Sequence, residues 1–170
     1  MSHKPSPSAR RTSATLIAAV GALVLPGGAL AATPQTDTTF TGKTSQGKTC
    51  SPGEMTQCEA SLGTESNPRQ IGGFAISWRA RCDGGQTFRG SRTRGEGISV
   101  SRTGKVRTSE TFTTDITGGG TARTEAKIRG EFVTRTRFHG TWRAVTNITL
   151  GSGQKLRCNS RLVKYKLRAV

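Results

Sequence analysis

Residues 74–82 read Phe-Ala-Ile-Ser-Trp-Arg-Ala-Arg-Cys and run into Asp83-Gly84-Gly85. Side chains on a strand point alternately to its two faces, so Phe74, Ile76, Trp78, Ala80 and Cys82 share one side. Ala75, Ser77, Arg79 and Arg81 take the other. Asp-Gly supplies the positive φ angles that a tight hairpin needs. One segment therefore predicts a half-buried strand, its inner face, a buried cysteine and a basic exterior.

The same period recurs along the chain. Thr38–Thr44 reads as a first strand, closed by Ser45-Gln46-Gly47. Residues 49–70 lack periodicity and carry Pro52, Gly53, Gly63, Asn67 and Pro68, which predicts a long loop, a feature that is often functional. Thr87–Arg94 reads as the return arm of the first hairpin, with Phe88 inward and Arg89 outward. Ile98 and Val100 make a brief strand, and Val106, Thr108, Glu110, Phe112 and Ile116 continue an even-numbered face. Ala122, Thr124, Ala126, Ile128, Gly130 and Phe132 alternate with Arg123, Glu125, Lys127, Arg129 and Glu131, an outer face of mixed sign suited to cross-strand pairing. Phe138, Gly140, Trp142 and Ala144 form another even face, with Arg137, His139, Thr141 and Arg143 opposite. A turn or bulge falls near Arg135–Arg137. Val163, Tyr165 and Leu167 then place the inward set on odd positions, so a bulge is expected near Asn159-Ser160. No helical period follows Ala31. About eight short strands at this spacing predict an all-β fold, an antiparallel β-sandwich or β-barrel.

The N-terminus reads as an address. His3, Lys4, Arg10 and Arg11 precede an apolar run from Thr12 to Leu25, too short to cross a membrane core. Pro26-Gly27-Gly28 breaks the run, and Ala29-Leu30-Ala31 offers a cleavage site. Arg10-Arg11 hints at twin-arginine export, but Thr12-Ser13-Ala14 follows in place of a strongly apolar pair, which favours the ordinary secretory route. The expectation is a signal peptide over 1–31, secretion to an extracellular location, and one β domain over 32–170. That domain would hold 23 of the 26 basic residues and all ten acidic ones, a net charge of +13. Such a field attracts anionic partners: wall polymers, acidic glycans or nucleic acid.

Cys50, Cys58, Cys82 and Cys158 are an even set in an exported chain and read as disulfides. Three pairings exist. Cys50–Cys58, bracketing a turn-rich loop, with Cys82–Cys158, joining distant strands, is favoured. A zinc site would have no C-x2-C pair and a single histidine, His139, in the exported domain. No metal and no cofactor is expected.

Phe40-x-Gly42-Lys43-Thr44-Ser45-Gln46-Gly47, the strand ending Cys82-Asp83-Gly84, Ile128-x-Gly130-Glu131-Phe132, Gly140-Thr141-Trp142-Arg143 and the late Cys158 form a pattern. Over most of the exported domain it resembles a group of small secreted β-rich proteins common in high-GC Gram-positive bacteria. The resemblance implies no catalytic residue, since the group carries no assigned activity. It implies that Cys82 and Cys158 are the group's usual pair, with Cys50, Cys58 and their loop an addition.

Catalysis needs convergent titratable groups. His139 sits on an arginine-rich strand face, and Asp37, Asp83 and Asp115 lie beside turns or strand ends. Glu96, Glu110, Glu125 and Glu131 are the carboxylates from which a glycosidase pair would be drawn, but Glu125 and Glu131 face outward among Arg123, Lys127 and Arg129. No G-x-S-x-G elbow, P-loop or H-E-x-x-H occurs. The expected chemistry is binding without catalysis. Arg79, Arg81, Arg89, Arg92 and Arg94 flank the first hairpin and Arg135, Arg137 and Arg143 a later one. If the hairpins share a sheet, they would form a guanidinium array able to grip phosphate or carboxylate bidentately. Trp78 and Trp142 are expected in the core. A carbohydrate-active or other hydrolase with a cleft near the 49–70 loop, and a structural or protein-partner module, are the alternatives.

Overall fold

The computed structural model describes residues 32–47, 58–95 and 97–170; the expected signal peptide and Cys50 lie outside them. Among the described residues there is no α-helix. Ten strands follow in order: β1 (Thr39–Lys43), β2 (Glu59–Thr64), β3 (Gln70–Cys82), β4 (Thr87–Arg94), β5 (Ile98–Ser99), β6 (Lys105–Asp115), β7 (Gly120–Thr134), β8 (Arg137–Leu150), β9 (Lys155–Asn159) and β10 (Val163–Ala169).

Every pairing is antiparallel. β3 pairs with β2 on one edge and with β4 and β5 on the other. β2 pairs with β1, β1 with β10, β10 with β8, β8 with β7 and β7 with β6. The bridge Val100↔Val106 ties the chain after β5 to β6. The circuit of pairings thus returns to β3, which makes the fold a closed antiparallel barrel of eight strands. At the other end β9 alone spans from β8 to β3. Closure removes most exposed strand edges, the feature that makes open sheets prone to aggregate.

The opening strand behaves as its alternation requires. Phe74, Ile76, Trp78, Ala80 and Cys82 are all buried, Arg81 is exposed and Arg79 is partly covered. In the turn, the positive φ angles fall on both glycines, Gly84 at 86° and Gly85 at 90°. Gly85 N–H donates to Cys82 O.

The expected loop over 49–70 is corrected in its described part, from Cys58 onward. Residues 59–64 form β2, with Ala60, Leu62 and Thr64 inward, and β3 starts at Gln70. β2 offers a single large apolar side chain, so its sequence carries almost no periodic signal. Its ladders to β1 and β3 on both edges hold it. Thr64 is buried because its hydroxyl is satisfied, donating to Gln35 O at 2.6 Å and accepting from Thr38 N–H at 3.1 Å.

The parity change before the last strand has the expected cause. Asn159 pairs with Val145 and Val163 with Trp142, so three residues of one strand face two of the other. Arg161 takes a φ of 55° there. Ser160 secures the bulge, its hydroxyl accepting from Ala144 N–H and donating to Arg161 O, both at 2.8 Å. A second bulge, at Val133 between β7 and β8, lies beside the expected Arg135–Arg137 turn.

The barrel interior holds a continuous column of rings. Phe40 meets Phe132, Phe132 meets Phe138, Phe138 meets Tyr165, Tyr165 meets Phe74, Phe74 meets Trp142, Trp142 meets Trp78, and Trp78 meets Phe112, with centroids 4.8–6.5 Å apart. Such contacts add about 0.5–1.5 kcal/mol each beyond burial. Gly130 and Gly140 face each other across β7 and β8. A Cβ at Gly130 would lie 2.3 Å from the Phe138 ring, and one at Gly140 2.3 Å from the Tyr165 ring. The glycines of the recurring motifs are thus the sites where the strand wall makes room for the column.

Covalent and polar clasps hold the wall together. Cys82 and Cys158, directly paired between β3 and β9, form a disulfide. Cys58 is buried and disulfide-bonded. On β3, between the reach of β2 and that of β9, Ser77 Oγ accepts from Glu59 N–H at 3.0 Å. The Gln46 side chain meets Arg79 like a strand, donating from Nε2 to the carbonyl at 3.0 Å and accepting from the N–H at 2.9 Å.

Candidate functional site

On the outer face, the register places side chains in rows across the strands. One row runs Lys105, Glu131, His139, Lys166 over β6, β7, β8 and β10, and the next runs Arg107, Arg129, Thr141, Lys164. Lys127 and Arg143 oppose each other one row further. Directly opposed residues sit with Cβ atoms about 4.5–5.5 Å apart, and successive outward residues of a strand about 6.6 Å apart. The result is a grid in which neighbouring side chains sit a few ångströms apart. The first two rows wall an open groove of about 460 Å³, floored by backbone at Val106, Gly130, Gly140 and Tyr165. Five cations line it against one carboxylate, Glu131.

Like charges directly opposed on a sheet destabilise it. Arg107↔Arg129 is such a pair, and Lys164 continues its row. None of the five groove cations has an ion-pair partner among the described residues. His139 is half-buried between Glu131 and Lys166. An anion laid along this groove meets guanidinium forks from Arg107 and Arg129 and mobile ammonium groups from Lys105, Lys164 and Lys166. That is the chemistry of phosphate or carboxylate recognition.

The arginines singled out from the sequence separate into three sets. Arg79 and Arg89 oppose each other on the outer face of β3 and β4, with exposed Arg81 beside them. Arg137 and Arg143 are exposed on β8, on the same face as the groove, and Arg135 is exposed in the preceding turn. Arg92 and Arg94 leave the array altogether. They pair with Ile76 and Phe74, on the inner side of β4. Glu110 of β6, only 9% exposed in its side chain, binds Arg92 at 3.2 Å and lies 4.0 Å from Arg94. Arg92 also sits 4.5 Å over the Phe112 ring. The parity of Phe88, two residues before Gly90 and four before Arg92, was the signal for this inward placement.

No signal in the sequence marks the groove cations. Arg129 reads only as part of a mixed outer face, and Lys164 and Lys166 as the polar half of the last strand. Nothing local states that β10 docks beside β8, the step that brings Lys164 and Lys166 into line with Arg129.

Trp78 and Trp142 are 2% and 0% exposed, so neither is a platform for sugars or bases. Among the described residues, Glu110, Glu125 and Glu131 do not assemble a glycosidase carboxylate pair. Glu110 is inward and ion-paired, whereas Glu125 and Glu131 are outward. Six residues along one strand separate those two by about 20 Å, beyond the roughly 5–9.5 Å that either glycosidase geometry uses. Glu96 lies outside the described residues. Among the described residues, no three His, Cys, Asp or Glu side chains cluster as a metal site. The motif Lys43-Thr44-Ser45-Gln46-Gly47 is likewise structural. Thr44 bridges Tyr165, Ser45 exchanges hydrogen bonds with Lys164 through N–H and Oγ, and Gln46 clasps Arg79.

Fold and groove together define a disulfide-stapled antiparallel β-barrel with a cationic outer face. No family model, curated protein or solved structure matches the chain.

Proposed function

We propose that this is a non-enzymatic, exported binding module that holds an anionic polymer of the cell envelope along the β6–β7–β8–β10 groove. The observation that carries the reading is the directly opposed Arg107↔Arg129 pair, extended by Lys164 along its row and flanked by Lys105 and Lys166, five cations against the single carboxylate of Glu131. A sheet that pays this repulsion in its empty state is relieved when an anion binds. The Cys82–Cys158 disulfide supports an oxidising compartment, and the leader-like residues 1–31 support export. A wall polymer or acidic glycan suits the groove better than nucleic acid. Single-strand binders rely on exposed aromatic platforms, and among the described residues the exposed large apolar ones are Val133, Leu162 and Val170.

The test uses immobilised heparin as a generic sulfated polyanion beside a neutral agarose control. The protein is expected to bind heparin with a steep salt dependence. Arg107→Glu with Arg129→Glu should lower the salt concentration of elution and flatten the slope of log K against log salt by about two. Arg79→Glu with Arg89→Glu, the same charge change on another face, should have the smaller effect. Equal retention on heparin and agarose, or equal loss from both double variants, rejects the reading.

A further inference from the structure

The barrel wall lacks a ladder along one seam. Apart from the bridge Val100↔Val106 at one end, β4 pairs only with β3 and β6 only with β7. Hydrogen-bonded and non-hydrogen-bonded pairs alternate along an antiparallel ladder. Cys82 N–H donates to Gln86 O, so the even-numbered residues of β4 turn their backbone groups toward β3. Ile116 N–H donates to Gly120 O, so the even-numbered residues of β6 turn theirs toward β7. The odd-numbered residues of both strands therefore face the seam. Ser91 and Thr93 look across it from β4, and Ser109, Thr111 and Thr113 from β6. Among the described residues no strand pairing meets their N–H and C=O groups.

The width of the seam suits one strand. The Cα atoms of β4 and β6 lie almost everywhere more than 8 Å apart, whereas paired neighbours are about 4.8 Å apart and one inserted strand needs about 9.6 Å. The gap is still narrow enough for Arg92 to meet Glu110 at 3.2 Å. That ion pair joins inward-pointing side chains, so it lies beneath the plane that a strand would occupy. Burial agrees. Phe88, Arg92, Arg94, Glu110 and Phe112 point inward yet are only partly buried, whereas Ala122, Thr124, Ala126 and Ile128 on the inner face of β7 are covered. Away from the Val100↔Val106 bridge, a cavity of about 230 Å³ lies between the two strands. Apolar Phe88, Phe112 and Ile116 line it beside polar Ser91, Thr114 and Thr117. A peptide strand offers both kinds of surface, side chains on its faces and a polar backbone along its edges.

We propose that the β4–β6 seam takes an extended acidic peptide of a partner protein as an added strand. Strand addition draws affinity from main-chain hydrogen bonds and specificity from alternate side chains. β4 and β6 run in opposite directions, so the added strand is antiparallel to one and parallel to the other. Its inward side chains cover Phe88, Phe112 and Ile116, so apolar residues fit on that face. On the outward face the flanking charges are Arg89, Lys105 and Arg107 against the single carboxylate of Asp115, so acidic residues fit there. The backbone edges that carry this reading are not part of the cationic groove, and either site can fail without the other.

The test titrates the full protein with the peptide acetyl-Glu-Val-Glu-Val-Glu-Val-Glu-amide, following backbone amides by nitrogen–proton NMR and hydrogen exchange. The amides of Ser91, Thr93, Ser109 and Thr111 are expected to shift saturably and to exchange roughly tenfold more slowly in the complex. The same peptide N-methylated at every second residue keeps its charges but loses the donors along one edge. It should bind roughly tenfold more weakly, the yield of one to two net hydrogen bonds. Thr111→Pro removes a seam-facing N–H without breaking the β6–β7 ladder and should abolish the protection. Ser91→Pro does the same on β4 and serves if the first variant does not fold. Absent protection at these amides, shifts confined to the groove around Arg129 and Lys166, equal affinity for the methylated peptide, or protection that survives in a folded proline variant overturns the proposal. So does concentration-dependent protection of the same amides without peptide, which would assign the seam to a second copy of the chain.

Discussion

Tyr165 shows how a single buried group ties this barrel to solution conditions. It is the sole tyrosine, it is 2% exposed, and its hydroxyl has no hydrogen-bond partner. Desolvation pushes its pKa well above the ordinary value near 10. The folded chain therefore keeps the phenol proton at a pH where the unfolded chain releases it. That contribution is fully present below about pH 10 and is lost as pH rises above it. Tyrosinate absorbance is expected to appear only together with unfolding, and Tyr165→Phe should remove this part of the alkaline loss. A gradual tyrosinate signal in folded protein would refute it. The sequence showed Tyr165 on an inward face. It could not show that the ring fills the space left by Gly140, because that contact joins residues 25 apart across β8 and β10.

At the scale of elements, Gln46 decides whether β3 has a complete edge. β2 pairs as far as Ile76 and β9 starts at Arg81. Between them the Gln46 amide supplies the missing donor and acceptor at Arg79. Gln46→Ala should cost about 1–3 kcal/mol, from leaving both backbone groups of Arg79 half-buried and unmet. Urea unfolding would show this as a lower midpoint at unchanged slope, and an unchanged midpoint would mean that water replaces the amide without loss. The strands with strong apolar alternation, β3, β7 and β8, were legible from their residues alone. β2 was not, because Glu59-Ala-Ser-Leu-Gly-Thr64 has one large apolar group and owes its state to neighbours on both edges.

For the whole molecule, the disulfide between Cys82 and Cys158 closes a loop of sequence separation 76. The chain-entropy estimate for such a loop is about 4.5 kcal/mol. β3 and β9 share only the pairs Arg81↔Asn159 and Cys82↔Cys158, so little else holds that end of the barrel. The double variant Cys82→Ser/Cys158→Ser is expected to lower Tm by roughly 10 °C or more, measured by circular dichroism under non-reducing conditions. A drop of only a degree or two would show that the aromatic column holds this end without the bond.

What the sequence determined by itself is the part set by period two: an all-β chain, the inner faces of the long strands, the buried tryptophans and the bulge after Asn159. Each is a local consequence of side chains alternating along one strand. Only the tertiary structure decided that the strands close into a barrel, that Arg92 and Arg94 turn inward to Glu110, and that Lys164 and Lys166 align with Arg107 and Arg129. Those outcomes depend on which strand edges meet. Edge pairing is settled by the fit of the aromatic column inside the barrel, a property of the whole core that no single segment contains.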